Sequence, residues 1–587
     1  MISKFIDFSF NYYQMYYYVL IICFVIMLMW RKSRIKSIIK QSIIYCFVFV
    51  LAFGAAILIK EKTFLKETVE IVADYEDGAE CTLDRLSYGV FKLNYNLKLN
   101  QGTNLIKIPI GINRCMKMSS LGECGIAVNI SGEKNSYQLK DNGEKIQHDI
   151  TLYSDTRKHK LLCEILIKAV LIVILTLVIG IMANCLVPFI LSRRLEKVKY
   201  ELVIFGVLIA QLVLIIPSEI SQWVAAWYAL SYKDGMGSRL LVGSLINLFC
   251  PDYVSAEFAY KFVVASLVLL CFLVSFLYGQ MIRHSKNIKS AGYFVALYLS
   301  CPGSIVCFWY NGTGRLEAYS LIWCLLCVIL FEKVKNIYIK YLITAITLCL
   351  ILLTHQGTLF LYGPILMTLI LYDIVKEFQV KKAFMSLGIL GGGTLLFFYL
   401  QIYSGLHYAT CDEAFRVLSS RTDMLLDYNA VRLEYYASMA ENFEYGQKYF
   451  FEYYDVCVKV FVALIMSLPL IIFIVGIWKS SFSKSDIKLI KNPQSWVLLS
   501  DIAFIPIYVL MCDWGRWTCA LIGVLFFQVA YMLYKNEAGM RKTFEAIEAF
   551  IEKNGFLCII VLIYLASLEK ISPLFNDLTI KVAGYIR

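Results

Sequence analysis

IYIKYLITAITLCLILLTHQGTLFLYGPILMTLILYDIVK, residues 337–376, is apolar along most of its length, with Thr354-His355-Gln356-Gly357 as a polar interruption near its middle. Read as one helix, the stretch inverts the sidedness of everything after it and puts the basic loop at 479–491 outside. Read as two helices, it is a tight outward hairpin with His355 at its tip. Lys and Arg in short loops mark the cytoplasmic side, and they select the hairpin. Arg31, Lys32, Arg34, Lys36 and Lys40 fill the loop at 31–40. Every second loop after it is also basic. These loops carry Arg193, Arg194, Lys197 and Lys199; Arg283, Lys286 and Lys289; Lys333, Lys335 and Lys340; Lys376, Lys381 and Lys382; Lys479, Lys484, Lys488 and Lys491; and Lys535, Arg541 and Lys542. With these loops inside, both termini are expected outside.

Composition agrees with a multi-pass chain. Of 587 residues, 59% are hydrophobic and 17% charged, against about 45–50% and 25% in soluble domains. Mean hydropathy is +0.65. Disorder, fibres and soluble enzymes are excluded, and the net charge of +12 reads as loop Lys and Arg beside membrane spans rather than as a nucleic-acid surface. Cys23, Cys46, Cys271, Cys324, Cys327 and Cys349 sit in apolar runs as small hydrophobes. No Cys-x-x-Cys pair is matched with His at zinc spacing. The first apolar run ends in Trp30-Arg31-Lys32 with no small-residue cleavage site, so it reads as a retained anchor.

Apolar segments of membrane length number about 14. They lie near 12–30, 42–59, 161–191, 200–217, 259–280, 291–309, 318–332, 337–354, 357–373, 384–403, 457–478, 495–512, 518–535 and 555–570. The expected fold is an all-α polytopic membrane protein of about 14 transmembrane helices with an extracytoplasmic β-sandwich insertion. Its parts are two N-terminal spans in 1–59, the β-sandwich in 60–160, a first core part in 161–403, a loop of outward amphipathic helices in 404–456, and a second core part in 457–587. The strand signal in 60–160 is short alternating runs punctuated by Gly, Asn and Asp. Residues 91–109 resemble the strand-turn-strand of extracellular jelly-roll modules. Cys115 and Cys124 read either as a disulfide or as free thiols.

Drawn on this topology, unusual polar residues collect on the outer face. Lys233, Asp234 and Arg239 follow the fourth span, Arg315 and Glu317 the sixth, His355 and Gln356 form the hairpin, and Asp513, Trp514 and Arg516 follow the twelfth. Each has a bland reading: Asp234 with Arg239 as an ion pair, Arg315 and Glu317 as interfacial snorkellers, His355 as a helix-end histidine, Asp513 with Arg516 as a one-turn pair. Trp223, Trp227, Trp309, Trp514 and Trp517 fit an aromatic belt, and the sequons at Asn129 and Asn311 read as chance. Polar groups at that depth are costly unless paired or engaged with substrate. Arginine forks suit phosphate oxygens, and a carboxylate or neutral imidazole can accept a proton from a sugar hydroxyl. The set points to inverting glycosyl transfer from a polyprenyl-phosphate or polyprenyl-pyrophosphate sugar, with arginine stabilising the leaving phosphate. Gly391-Gly392-Gly393 lies inside a span with no following Lys-Ser/Thr and is no P-loop.

Arg239-Leu-Leu-Val-Gly and His355-Gln-Gly-Thr-Leu-Phe are similar in style to Wzy-type and EpsG-like polysaccharide polymerases, bacterial envelope enzymes that rely on outward arginines and a histidine. The outward acid Asp234 resembles the base of the GT-C superfamily, although there the acid follows the first span and here the fourth. What the resemblance implies is a bacterial cell-membrane enzyme with Asp234 or His355 as catalytic base. Lys233, Arg239, Arg315, Glu317, Gln356, Asp513, Trp514 and Arg516 would be substrate contacts, of which Arg239, Arg315 and Arg516 hold the phosphate and Asp513 orients Arg516. Its partners are a polyprenyl-linked sugar donor, a glycan acceptor, membrane lipid and other envelope polysaccharide proteins, with no nucleic acid. No cofactor is expected, with a divalent cation only on the GT-C reading. Two other classes compete: a transporter or flippase of a lipid-linked or anionic solute, and a non-catalytic scaffold or sensor that binds through its sandwich.

Overall fold

The computed structural model describes residues 66–152 and 198–567, apart from 76–79, 89–90, 110–113, 122, 131–132, 140–145, 217–219, 302, 306–307, 309–312, 439, 442–443, 445–464, 466 and 511–513. The expected spans at 12–30, 42–59 and 161–191, both termini, Asp513 and the sequon at Asn311 lie outside the described residues. The chain divides into two compact units, one holding the strands of the insertion and one the helices from 198 onward.

The first unit has eight strands: β1 (Lys66–Tyr75), β2 (Glu80–Tyr88), β3 (Phe91–Lys98), β4 (Gly102–Pro109), β5 (Arg114–Leu121), β6 (Cys124–Ile130), β7 (Glu133–Leu139) and β8 (Ile146–Leu152). They pair antiparallel in two four-stranded sheets, ordered β4-β1-β6-β7 and β3-β2-β5-β8. Alternation decides what is inside. Val69, Ile71 and Ala73 of β1 and Ile126 and Val128 of β6 share one core with Leu83 of β2 and Met116 and Met118 of β5. Residues 91–109 are strand-turn-strand as expected, but the two strands do not pair: β3 bonds β2, and β4 bonds β1. The turn is an arch between sheets. The Asn104 side chain ties it, donating to the Asn100 carbonyl at 2.7 Å and the Gly102 carbonyl at 3.1 Å.

The second unit is mostly helical. Its elements are α1 (Lys199–Ile215), α2 (Gln222–Ala229), β9 (Gly235–Met236), α3 (Leu241–Asn247), α4 (Ala256–His284), α5 (Ile288–Ser300), α6 (Glu317–Lys333), α7 (Ile337–Thr354), α8 (Thr358–Lys376), α9 (Val380–Tyr403), β10 (Gly405–Leu406), α10 (Cys411–Ser420), α11 (Tyr428–Tyr435), α12 (Leu468–Ser483), α13 (Pro493–Leu499), α14 (Ile505–Leu510), α15 (Trp514–Tyr534), α16 (Ala538–Lys553) and α17 (Gly555–Ser567). Five of the described helices, α4, α7, α8, α9 and α15, are long and apolar enough to cross a membrane, and α16 with α17, bent by 100°, make a sixth if counted together. Among the described residues two of the expected spans are not single long helices, for local reasons. The segment at 291–309 is helical only to Ser300, just before Pro302, since proline disfavours helix in the residue before it. The segment at 495–512 is broken into α13, a 3₁₀ turn at Ser500–Phe504 and α14. Asp501 and Pro506 interrupt it.

The hairpin reading of 337–376 holds. α7 ends at Thr354, α8 begins at Thr358, and His355 is the cap between them. The basic loops meet at one end of this unit. Arg283 pairs with Glu201, Lys535 with Glu332, Lys376 with Glu537 at 2.7 Å and Lys382 with Asp373 at 3.2 Å. The joint of α7 and α8 and the first turns of α6 and α15 form the other end.

Close packing near that other end depends on Gly243 in α3. A Cβ there would stand 1.7 Å from the Leu230 carbonyl oxygen. Gly243→Ala is expected to push the 230–240 loop off α3 and to cost more than about 2 kcal/mol, in the range of core overpacking. The check is a thermal unfolding midpoint in detergent, where an unchanged value would refute the packing argument.

Candidate functional site

The loop from Leu230 to Leu240 is bolted onto the end of α7. The Arg239 amide donates to the Leu353 carbonyl at 3.0 Å. The Ser238 hydroxyl donates to the Leu352 carbonyl at 3.2 Å and accepts the Gln356 amide at 2.9 Å. The Tyr435 hydroxyl, reaching in from α11, donates to the Ser238 carbonyl at 2.5 Å. These bonds hold Arg239 at a φ of +68°, a left-handed backbone that a bulky residue adopts only when its surroundings impose it. Its guanidinium then lies 5.1 Å over the Trp227 ring and 2.9 Å from Glu434 of α11.

Two more arginines converge on the same place. Arg315 sits on the short turn before α6. That turn is fixed by Tyr228, whose hydroxyl donates to the Gly314 carbonyl at 2.7 Å. Gly314 has a φ of +82°, which suits glycine. Arg516, in the first turn of α15, pairs with Glu317, the first residue of α6. His355 is the common neighbour, since Arg239, Glu317, Arg516 and Arg315 are the charges that act on it. Among the described residues the cluster holds three cations against two carboxylates, Glu317 and Glu434. Nε of Arg239 and of Arg315, Oε2 of Glu317 and Oε1 of Gln356 are buried with no hydrogen-bond partner among the described residues. Buried polar atoms are almost always paired, so open ones within one cluster suit an incoming polar group.

His355 is neutral here. Burial, then Arg239, hold its imidazole well below the ordinary 6.5, with Glu317 opposing. Nδ1 accepts the Gly357 amide at 3.2 Å, so the neutral ring carries its proton on Nε2 and offers a donor there. A folded-state value below the unfolded one gives stability that is complete above about pH 6.5 and is lost as pH falls. The loss has a slope of about 1.4 kcal/mol per pH unit while the folded ring stays neutral. Glu434 works in the opposite sense: burial pushes its carboxyl up, with Arg239 opposing. Replacing His355 by Asn is therefore expected to flatten the fall in stability between pH 6.5 and 5. Unfolding midpoints across that range, variant against wild type, provide the check, and parallel curves would refute it.

Asp234 occupies a different position from the one its sequence suggested. It is fully buried. Oδ2 accepts the Ser231 amide at 2.9 Å and hydroxyl at 3.1 Å, and Oδ1 accepts the Tyr408 hydroxyl at 2.7 Å and Arg421 at 2.5 Å. Four donors fill a carboxylate's capacity, which leaves nothing for a substrate. Asp234 staples the 230–240 loop to the outer loop, helped by the β9–β10 pair. Two residues read otherwise from the sequence also find distant partners. Asp234 takes Arg421 rather than Arg239, and Glu317 takes Arg516. Lys233 points to the Pro251 carbonyl, 2.9 Å away at an exposed position. Gln356 bonds Gln401 of α9 at 3.0 Å. Trp514 opens α15. Glu434, Tyr408, Arg421 and Tyr435 escaped the sequence reading, because nothing local in 404–456 marks which polar residue turns inward.

A cavity of ≈ 370 Å³ runs between α6 and α15 from Leu321 and Cys519 to Glu332, Lys333 and Tyr534 at the basic-loop end. Leu321, Leu325 and Val328 of α6 line it together with Cys519, Gly523 and Phe527 of α15. Leu321 and Cys519 fall about one helical turn below Glu317 and Arg516. Among the described residues no group of three His, Cys, Asp or Glu side chains is placed to hold a metal ion.

Together these features define a helical membrane protein with a buried, arginine-rich polar site at one end of its helices. Compared with known proteins, the chain matches no family model, no curated protein and no solved structure.

Proposed function

We propose that this chain is a membrane glycosyltransferase or polysaccharide polymerase that acts, on the outer face of a bacterial membrane, on a sugar carried by a polyprenyl phosphate or pyrophosphate. The observation that supports this reading most is the convergence of Arg239, Arg315 and Arg516 on His355, one helical turn from the near end of a largely apolar cavity. Arginine forks bind phosphate oxygens in pairs, and an apolar cleft next to them suits the hydrocarbon carrier. The phosphate binds to the guanidinium groups, and the His355 Nε2–H adds one further donor.

In the reaction, the acceptor hydroxyl oxygen attacks the anomeric carbon as the bond from that carbon to the phosphate oxygen breaks. The phosphate leaves with the bonding electrons, and the arginines stabilise its charge. The hydroxyl proton needs a base. Asp234 has no free lone pair, and the lone pair of His355 Nδ1 is taken by Gly357, so we assign the proton to Glu434. Burial raises its basicity, and Arg239 holds it at the edge of the cluster.

The test is mass spectrometry of lipid-linked oligosaccharides and surface polysaccharide in a strain lacking the protein. Complete repeat units accumulating on lipid, with long polymer lost, identify a polymerase. Units one sugar short identify a monomer transferase. Unchanged lipid and polymer refute the proposal.

A further inference from the structure

The core of the β-sandwich contains two thiols in contact. Cys81 is the second residue of β2 in one sheet, and Cys124 opens β6 of the other. They are 0% and 2% exposed, belong to the same apolar core, and lie close enough for each thiol to act on the other. Both strands are interior to their sheets, and the Cys81 carbonyl accepts the Leu99 amide at 2.8 Å. The contact is therefore anchored by backbone on both sides. A single buried cysteine is an ordinary small hydrophobe. Two that share one core between facing sheets, inside a segment that the charge pattern puts on the outer side, have the placement and the compartment for a covalent bond.

We propose that Cys81 and Cys124 form an inter-sheet disulfide in the mature protein. In forming it, the two thiols lose two protons and two electrons. The electrons pass by exchange to the disulfide of an extracytoplasmic thiol oxidase, which leaves as a dithiol. The attacking species is a thiolate. Burial pushes Cys81 up to about 12 in the closed sandwich, so exchange takes place before the sheets close, and the finished bond resists reductants. The bond closes a loop of about 40 residues, long enough to constrain the unfolded chain substantially. It also pairs Cys124 with Cys81 rather than with Cys115.

The experiment uses the full chain, purified from membranes in detergent. Free thiols are alkylated under denaturing, non-reducing conditions, and the digest is mapped by mass spectrometry with and without dithiothreitol. The expected result is a Cys81–Cys124 linked peptide pair that disappears on reduction. In a Cys81→Ala variant the pair is absent and Cys124 takes the label. Alkyl label on both Cys81 and Cys124 before reduction overturns the proposal, and so does a Cys115–Cys124 pair. The outcome is independent of the catalytic reading, and a linked pair also places residues 66–152 outside the reducing cytoplasm.

Discussion

Arg315→Ala is expected to lower glycan output by about 10²–10³, the usual cost of removing a charge-stabilising donor, while leaving the fold standing. Among the described residues no hydrogen bond or ion pair reaches the Arg315 guanidinium. Burial pushes it below its ordinary value, with Glu317 opposing and Arg239 adding repulsion. Removing such a group breaks no bond made by the described residues. Stability should stay within about 0.5–1 kcal/mol of wild type, or rise. Arg315→Lys should fall between the two, since it keeps the charge and loses the planar fork. The measurements are an unfolding midpoint for each purified variant and the lipid-linked intermediates in cells carrying it. A stable Arg315→Ala protein with wild-type glycan output would eliminate the phosphate role. A variant that fails to fold would show that Arg315 is structural.

Much of this site was readable from the chain. The break at Thr354–Gly357 and the alternation of basic loops were enough to place Arg239, Arg315, His355 and Arg516 at one end, because both signals are local in sequence. Their pairings were not readable. Proximity suggested Asp234 with Arg239 and left Glu317 as an interfacial snorkeller, yet each carboxylate is held by an arginine from a distant element, Arg421 for one and Arg516 for the other. A left-handed backbone at Arg239 and a tyrosine arriving from α11 are products of tertiary packing, with no local signature. Two of the expected spans are interrupted for a related reason. A hydropathy window averages over Pro302, Asp501 and Pro506, and the backbone does not. In the insertion, alternation marked the strands, while the arch at Asn100–Asn104, which sends β3 and β4 to different sheets, depends on one side chain's bonds.

The Arg516–Glu317 pair leads to the second large effect, this time on stability. Glu317 is 3% exposed, and Arg516 is its ion-pair partner. Arg516→Met should destabilise the protein by about 3–5 kcal/mol, because it leaves a buried carboxylate without its counter-charge. Replacing both, as Arg516→Met with Glu317→Leu, removes the stranded charge together with its partner. Buried pairs exchanged for apolar residues of similar volume are often neutral or more stable. The double variant should therefore recover most of the lost stability, and a double-mutant cycle on unfolding midpoints would measure the coupling. Glycan output should not recover, since the phosphate would have lost one of its three arginines. Recovery of both would mean that the pair is only structural. A double variant as unstable as Arg516→Met alone would show that the cost comes from packing at the first turn of α15. The expected pattern, stability regained and activity still absent, is that of a buried charge pair kept for a ligand, since an apolar pair would hold the two helices equally well.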